Sequence, residues 1–230
     1  ITALNRLTLN IGKGELFGFI GPNGAGKTTT IKIMGGVISP DSGSVKICGI
    51  DMEKAPEEAK RKIGFIPDRP YLYEKLTGME FLKFTSDLYG GDGNNFCRKA
   101  HEKLEKFSLL DWHDELIESY SHGMKQRLIM AAALIHEPEV IIVDEPMVGL
   151  DPTAIRMVKK LFRELVAEGV TIFMSTHTLS VAQDICDRIG VIRDGSLIAT
   201  GTARELMEKA DAGEGEHAAD LEQVFIRLVG

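Results

Sequence analysis

A chain of 230 residues, 43% apolar and 27% charged, has enough material for one large domain, or for a core with an inserted subdomain. Its formal net charge of −7, with no basic run longer than Lys60-Arg61-Lys62, argues against a nucleic-acid groove. Cys48, Cys97 and Cys186 are too far apart for a disulfide framework or a metal knuckle, so a reducing compartment is expected. No apolar run approaches the roughly 18 residues that cross a bilayer, so a membrane role is expected only through a partner.

In chain order, Arg6 to Ile11 and Glu15 to Ile20 read as strands around a Gly12-Lys13-Gly14 turn. The stretch after them, Gly21-Pro22-Asn23-Gly24-Ala25-Gly26-Lys27-Thr28, fits G-x-x-x-x-G-K-[ST] between a buried strand and a helix predicted over Lys27 to Met34. The residue types follow from the chemistry. Gly24 and Gly26 allow positive φ and close backbone approach, so that successive amides form a nest for phosphate. Lys27 supplies a point charge for the β- and γ-phosphates, and the Thr28 hydroxyl can ligate Mg²⁺. This stretch predicts a nucleoside triphosphate site.

Ser44 to Cys48 reads as a further short strand after a Pro-Asp-Ser-Gly turn, and the segment from about residue 69 to 136 is mostly helical in pattern. Within it, Ser121-His122-Gly123 opens a helix that runs on from Met124. The free amides at such a start attract anions, although for the Ser121 hydroxyl a plain N-cap role is by itself the better reading. Val140 to Val143 is a continuous apolar run, as in a parallel strand buried on both faces, and it ends in Asp144-Glu145. Asp-Glu-Pro alone could be a strand-ending turn. Beside a phosphate loop, Asp144 reads as a Mg²⁺ ligand and Glu145 as the general base for water. Pro152 onward is a complete helix with Asp151 as N-cap and Gly169 as terminator, burying Ile155, Val158, Leu161, Phe162, Leu165 and Val166. The strand in "VTIFMSTH" ends at His177, where α/β sheets place ligand-binding groups. Ile189–Arg193 and Ser196–Thr200 flank Asp194-Gly195, a hairpin signal. Ala210 to Ala219 reads as a flexible connector and Leu221 to Leu228 as a short amphipathic helix.

Together these stretches resemble the nucleotide-binding domain of an ATP-binding cassette (ABC) transporter over nearly the whole chain. Gly21 to Thr28 matches the Walker A loop, Val140 to Asp144 followed by Glu145 the Walker B motif, Gly149-Leu150-Asp151 the D-loop, and His177 the switch histidine. Tyr120-Ser121-His122-Gly123-Met124 stands where the family usually has the signature Leu-Ser-Gly-Gly-Gln. The resemblance implies an α/β fold: a P-loop NTPase core with a mostly parallel sheet, a small antiparallel β subdomain and an inserted helical subdomain. The implied division is 1–68 and 137–202 for the core, 69–136 for the helical part and 203–230 for a C-terminal connector and helix.

It also implies ATP and Mg²⁺ as ligands. ATP would be held by Gly21, Pro22, Asn23, Gly24, Ala25, Gly26, Lys27, Thr28 and Thr29, and the metal by Thr28, Asp144 and Asp68. Catalysis would fall to Glu145, His177 and Asp68. A second nucleotide-binding domain would receive Ser121, His122, Gly123 and Met124 in trans, with Asp151 on the D-loop.

The implied partners are that second domain and an integral membrane permease, with no nucleic acid and no direct membrane insertion. The implied place is the cytoplasmic face of the cell membrane, as an exporter-type ATPase subunit. A regulatory or non-transport ABC ATPase with weak turnover is the alternative. Two positions depart from the pattern: His122 replaces the first signature glycine, and Asp68 replaces a glutamine that normally meets Mg²⁺ and water. The aromatic residue on which the family stacks adenine would precede Ile1, so no residue here is assigned to the base. The groove for a coupling helix of the permease is expected near Tyr71, Tyr73, Leu76, Met79 and Phe81.

Overall fold

The structure is a computed structural model that describes residues 2–68, 71–91, 93–211, 222, 223 and 225. Its first regular element is β1 (Leu16–Ile20), followed across the phosphate loop by α1 (Lys27–Met34). A two-stranded antiparallel ladder, β2 (Lys46–Ile47) and β3 (Ile50–Asp51), precedes α2 (Pro56–Arg61) and β4 (Ile63–Ile66). The helical stretch then brings α3 (Gly78–Leu88), α4 (Gly93–Lys106), two single 3-10 turns and α5 (His122–Ala133). The chain returns to the sheet with β5 (Val140–Asp144), α6 (Pro152–Ala167), β6 (Thr171–Thr176), α7 (Leu179–Ile185), β7 (Arg188–Arg193), β8 (Ser196–Gly201) and α8 (Ala203–Asp211).

Among the described residues the main sheet runs β4-β5-β6-β1-β7-β8, parallel throughout except for the β7–β8 hairpin. Its central strands alternate between two buried faces. Ile141 and Val143 of β5 and Ile172 and Met174 of β6 join the core shared with the helices of the middle stretch. Val140, Ile142 and Phe173 turn to the opposite face, with Phe17, Phe19 and Ile31. A period-2 pattern that is apolar at every position is what a sheet covered on both sides requires. The rings of Phe17 and Phe173 stack with centroids 6.1 Å apart, tying β1 to β6. The hairpin turn has Asp194 at φ 47° and Gly195 at φ 76°, the two positive values of a type I′ turn.

Three expectations need correction. Residues 6–11 form no strand: Leu7, Leu9 and Ile11 turn inward in alternation, but the segment has no ladder partner among the described residues. An alternating apolar pattern records a half-buried extended chain and leaves open whether a neighbouring strand exists. The Ser44 to Cys48 strand shrinks to Lys46–Ile47, because Cys48 (φ 51°) and Gly49 (φ 81°) turn the chain directly into β3. Ala210 belongs to α8, so no connector begins there; the rest of that proposed connector lies outside the described residues. Of the proposed last helix, only Glu222, Gln223 and Phe225 are described, and they are helical.

Candidate functional site

The parallel sheet brings the carboxyl ends of β1, β5 and β6 side by side, with Ile20 opposite Thr176 and Asp144 opposite Ser175. That edge is where open α/β sheets place ligands. The loop after β1 wraps the start of α1. Gly24 (φ 80°) and Gly26 (φ 111°) take the positive φ values that the nest needs. Gly26 also has no room for a side chain: an added Cβ would lie 2.7 Å from Leu4 Cδ2 and 2.9 Å from the Ala3 carbonyl. The residue before Gly26 is pinned from the far side, since its carbonyl accepts from the Gly195 amide at 2.9 Å.

Lys27 is 8% exposed and its ammonium donates to the carbonyls of Gly21 (2.6 Å) and Pro22 (3.1 Å). Burial lowers its pKa, opposed by the negative charges of Glu145 and Asp144. The side chain therefore spans its own loop and already faces the two acidic residues. Asp144 is buried at the end of β5. One of its oxygens accepts from Ser175 and the other from the Thr28 hydroxyl at 3.4 Å. Its pKa is raised, by burial first and then by the nearby charges of Asp68 and Glu145, against the bonds from Ser175 and Thr28.

Glu145 departs from the strand with φ 49°, an unfavourable value for a residue with a side chain. Its amide still donates to the Ser175 carbonyl at 3.1 Å. The turn directs its carboxylate back over β6, where Oε2 accepts from Thr176 Oγ1 at 3.2 Å. Oε1 takes the His177 amide at 2.9 Å and His177 Nδ1 at 2.7 Å. Strain of this kind at the end of a strand persists only where the surroundings enforce it.

One groove of about 580 Å³ is lined by Asn23, Gly24, Gly26, Lys27, Thr28, Thr29, Asp68, Asp144, Glu145 and His177, and also by Ala3, Val148 and His122. The fold thus gathers Asn23, Gly24 and Gly26 to Thr29 of the phosphate loop, both acidic residues of the β5 end, Asp68 and His177, while Gly21, Pro22 and Ala25 stand outside the lining. It does not bring Asp151, Ser121, Gly123 or Met124 to the same lining. Asp151 caps α6, its Oδ1 accepting from Thr153 and Ala154 at 2.8 and 2.9 Å. Ser121 caps α5 by accepting from the Met124 amide at 3.3 Å. The Met124 side chain is buried in the core, so its apolar body has no free face for a ligand.

Sequence reasoning missed Ser175 and Thr176, the hydroxyls that orient the two carboxylates. Their signal was there: two small polar residues closing an otherwise apolar strand beside His177. Ala3 and Val148 carried no such signal.

The donor set suits Mg²⁺. Thr28 and Asp144 offer hard oxygens within hydrogen-bond reach of one another, and Asp68 lines the same groove. No cluster of three His, Cys, Asp or Glu side chains able to hold a metal exists among the described residues. Mg²⁺ in nucleotide sites is commonly bound by one or two protein oxygens together with phosphate and water.

A family model described as ABC transporter matches residues 4–148. The chain belongs to the ABC transporter family. The linearmycin resistance ATP-binding protein LnrL of Bacillus subtilis is 38% identical over 208 residues, 90% of this chain and 67% of that protein. The bacitracin transport ATP-binding protein BcrA of Enterococcus faecalis is 37% identical, over 96% of this chain and 73% of its own. The probable multidrug ABC transporter ATP-binding protein YbhF of Escherichia coli is 35% identical over 99% of this chain, which spans only 39% of YbhF. These ABC proteins are therefore longer than the chain to differing degrees.

A solved ATP-binding subunit of an ABC transporter superposes with a TM-score of 0.89 at 34% identity, covering 98% of this chain and 92% of that one. A dimeric ATP-binding cassette solved after hydrolysis, with ADP and Pi bound, gives a TM-score of 0.76 at 29% identity over 87% and 90%. The ABC cassette fold expected from the sequence, with its mostly parallel sheet and small antiparallel ladder, is the fold found.

Proposed function

We propose that this ABC cassette binds ATP and hydrolyses it to ADP and phosphate, and that this drives transport through a separate membrane permease. The observation that carries the reading is the Glu145 carboxylate, turned by its own strained backbone and fixed by three bonds from Thr176 and His177 in the groove that holds Lys27. A base for water must be held at a fixed angle to the phosphate, and this carboxylate is so held.

The phosphate loop would receive the triphosphate on its amides, with Lys27 exchanging its bonds to Gly21 and Pro22 for phosphate oxygens. Thr28 and Asp144, with Asp68 nearby, would hold Mg²⁺, which would neutralise charge on the β- and γ-phosphates. Glu145 would accept the proton of the attacking water. His177 donates Nδ1–H to Glu145, and a bond from its exposed ring to the γ-phosphate would need a proton on Nε2 as well.

Two copies would close on two nucleotides, with the start of α5 of each, at Ser121, His122 and Gly123, meeting the partner's nucleotide. Closure would then depend on contacts that exist only with γ-phosphate in place, as a switch requires. The dimeric form of a related cassette supports this arrangement. The names of LnrL and BcrA, which concern antibiotic resistance and transport, support an exporter. Tyr71 (82% exposed) and Tyr73 (60% exposed) form the accessible part of the proposed permease groove. Phe81 does not contribute, because it is buried in the core. No helix among the described residues is long and apolar enough to cross a membrane, so the cassette would sit on the inner face through that permease.

The test is the mass of Glu145→Gln in solution with and without Mg-ATP, alongside turnover of the unsubstituted protein. A dimer that forms only with Mg-ATP, and measurable release of phosphate by the parent, are expected. A parent that binds no ATP would overturn the reading.

A further inference from the structure

Helix α5 holds an anomaly that the proposed function leaves unused. Gln126 is 1% exposed, and neither its amide oxygen nor its amide nitrogen has a hydrogen-bond partner. A buried amide without partners costs free energy that leucine, of similar length, would not. One turn earlier on the same face, at i and i+4, stands His122. There the ring meets the loop that follows β5: a Cβ built on Gly149 would lie 2.9 Å from His122 Nε2.

That loop is lightly held. Gly149 has φ 76°. The bond from Val148 to the Glu145 carbonyl is 3.2 Å, and that from Leu150 to the Met147 carbonyl is 3.4 Å. The Met147 and Gly149 amides donate to no acceptor among the described residues. Through His122, a loop with spare backbone groups meets the helix face that carries the unsatisfied amide. The loop joins Glu145 to the Asp151 cap.

We propose that Gln126 is a positioning residue for the 145–151 loop. In the nucleotide-bound form its NH₂ donates to a loop carbonyl and its carbonyl accepts a loop amide, while the His122–Gly149 contact holds the resting form. The start of α5 and Glu145 would then move as one unit. This rests on the nucleotide reading given above.

The experiment compares Gln126→Leu with its parent in a Glu145→Gln background, by melting temperature and by mass in solution, each with and without Mg-ATP. Removing an unpaired amide should raise the nucleotide-free Tm by a few degrees. The Mg-ATP-induced rise in Tm should shrink by at least half, and the ATP-dependent dimer should need at least tenfold more ATP or be lost. A fall in the nucleotide-free Tm of Gln126→Leu would show that the amide is already satisfied at rest, and would overturn the proposal. An equal rise with and without nucleotide, with dimerisation unchanged, would overturn it too. A parent that shows no response to Mg-ATP would remove the nucleotide reading and this proposal together, whereas a responsive parent isolates Gln126.

Discussion

Glu145 Oε1 receives two hydrogen bonds from one residue, the backbone amide of His177 at 2.9 Å and its ring Nδ1 at 2.7 Å. A carboxylate oxygen can only accept, so the ring proton sits on Nδ1 in this arrangement. Glu145→Gln keeps an acceptor for the His177 amide and removes the basic oxygen. ATP turnover is expected to fall by about 10²- to 10⁴-fold, the usual worth of a positioned base, while nucleotide affinity changes little. Phosphate release and binding of a fluorescent nucleotide, measured on the same preparation, check both halves. A variant that retained more than a tenth of parental turnover would remove Glu145 from the base role.

The two glycines of the phosphate loop should fail in different ways when given a methyl group. Gly24 has φ 80° and no heavy atom within 4 Å of an added Cβ, so Gly24→Ala carries backbone strain alone. A loss of about 1 kcal/mol, or roughly 2–4 °C in Tm for a chain this size, is expected. Gly26 has φ 111°, and its Cβ would meet Leu4 Cδ2 at 2.7 Å and the Ala3 carbonyl at 2.9 Å. Gly26→Ala should therefore lose at least about twice as much. Thermal unfolding without nucleotide separates the two, and equal losses would mean that the Leu4 side chain and the segment before it yield at little cost.

Asp68 lines the groove, and its charge reaches Asp144. A ligand for the ion, rather than a turn residue alone, should reveal itself in metal dependence. Asp68→Ala is expected to raise the Mg²⁺ concentration for half-maximal turnover by about tenfold, the lower end of what loss of a metal-supporting group produces. A Mg²⁺ titration of ATPase activity that superposes on the parental curve would leave Asp68 with the turn role only.

How much of this was legible depends on what each signal encodes. The phosphate loop, the β5 run and the Asp194-Gly195 hairpin were read correctly because each is a local requirement: positive φ, two buried faces, or a turn type written in a few adjacent residues. The strand over residues 6–11 failed because pairing is a non-local fact. Leu7, Leu9 and Ile11 alternate as a strand would, yet which chain lies beside them is not encoded in their spacing. The same limit hid the division of labour at the site. Asp144 and Glu145 stood out as a pair, but the hydroxyls of Ser175 and Thr176 that hold them apart come from another strand. Met124 looked like part of an anion-binding helix start, and only the packing shows its side chain inside the core. Gln126 is the reverse case, a polar residue whose burial without partners no sequence pattern announces.

The last prediction concerns stability. His136 follows α5 and stacks on Tyr89 with ring centroids 3.7 Å apart, while its Nε2 lies 3.0 Å from the Ile63 carbonyl. A carbonyl only accepts, so Nε2 carries the proton, and Nδ1 is buried with no partner. Burial lowers the histidine's pKa, against a smaller upward effect of the bond to Ile63. Between the lowered folded value and the ordinary value of about 6.5, the unfolded chain binds more protons than the folded one. The stability that neutral His136 contributes is therefore complete above about pH 6.5 and is lost as the pH falls through that window. His136→Phe keeps a ring against Tyr89 and removes both the titration and the bond to Ile63. It should cost about 1 kcal/mol at pH 8, the net worth of one hydrogen bond, and that deficit should narrow as the pH falls toward 5. Urea unfolding at a series of pH values gives the difference between the two proteins directly. A deficit that stayed constant across the series would show that His136 does not couple folding to protons.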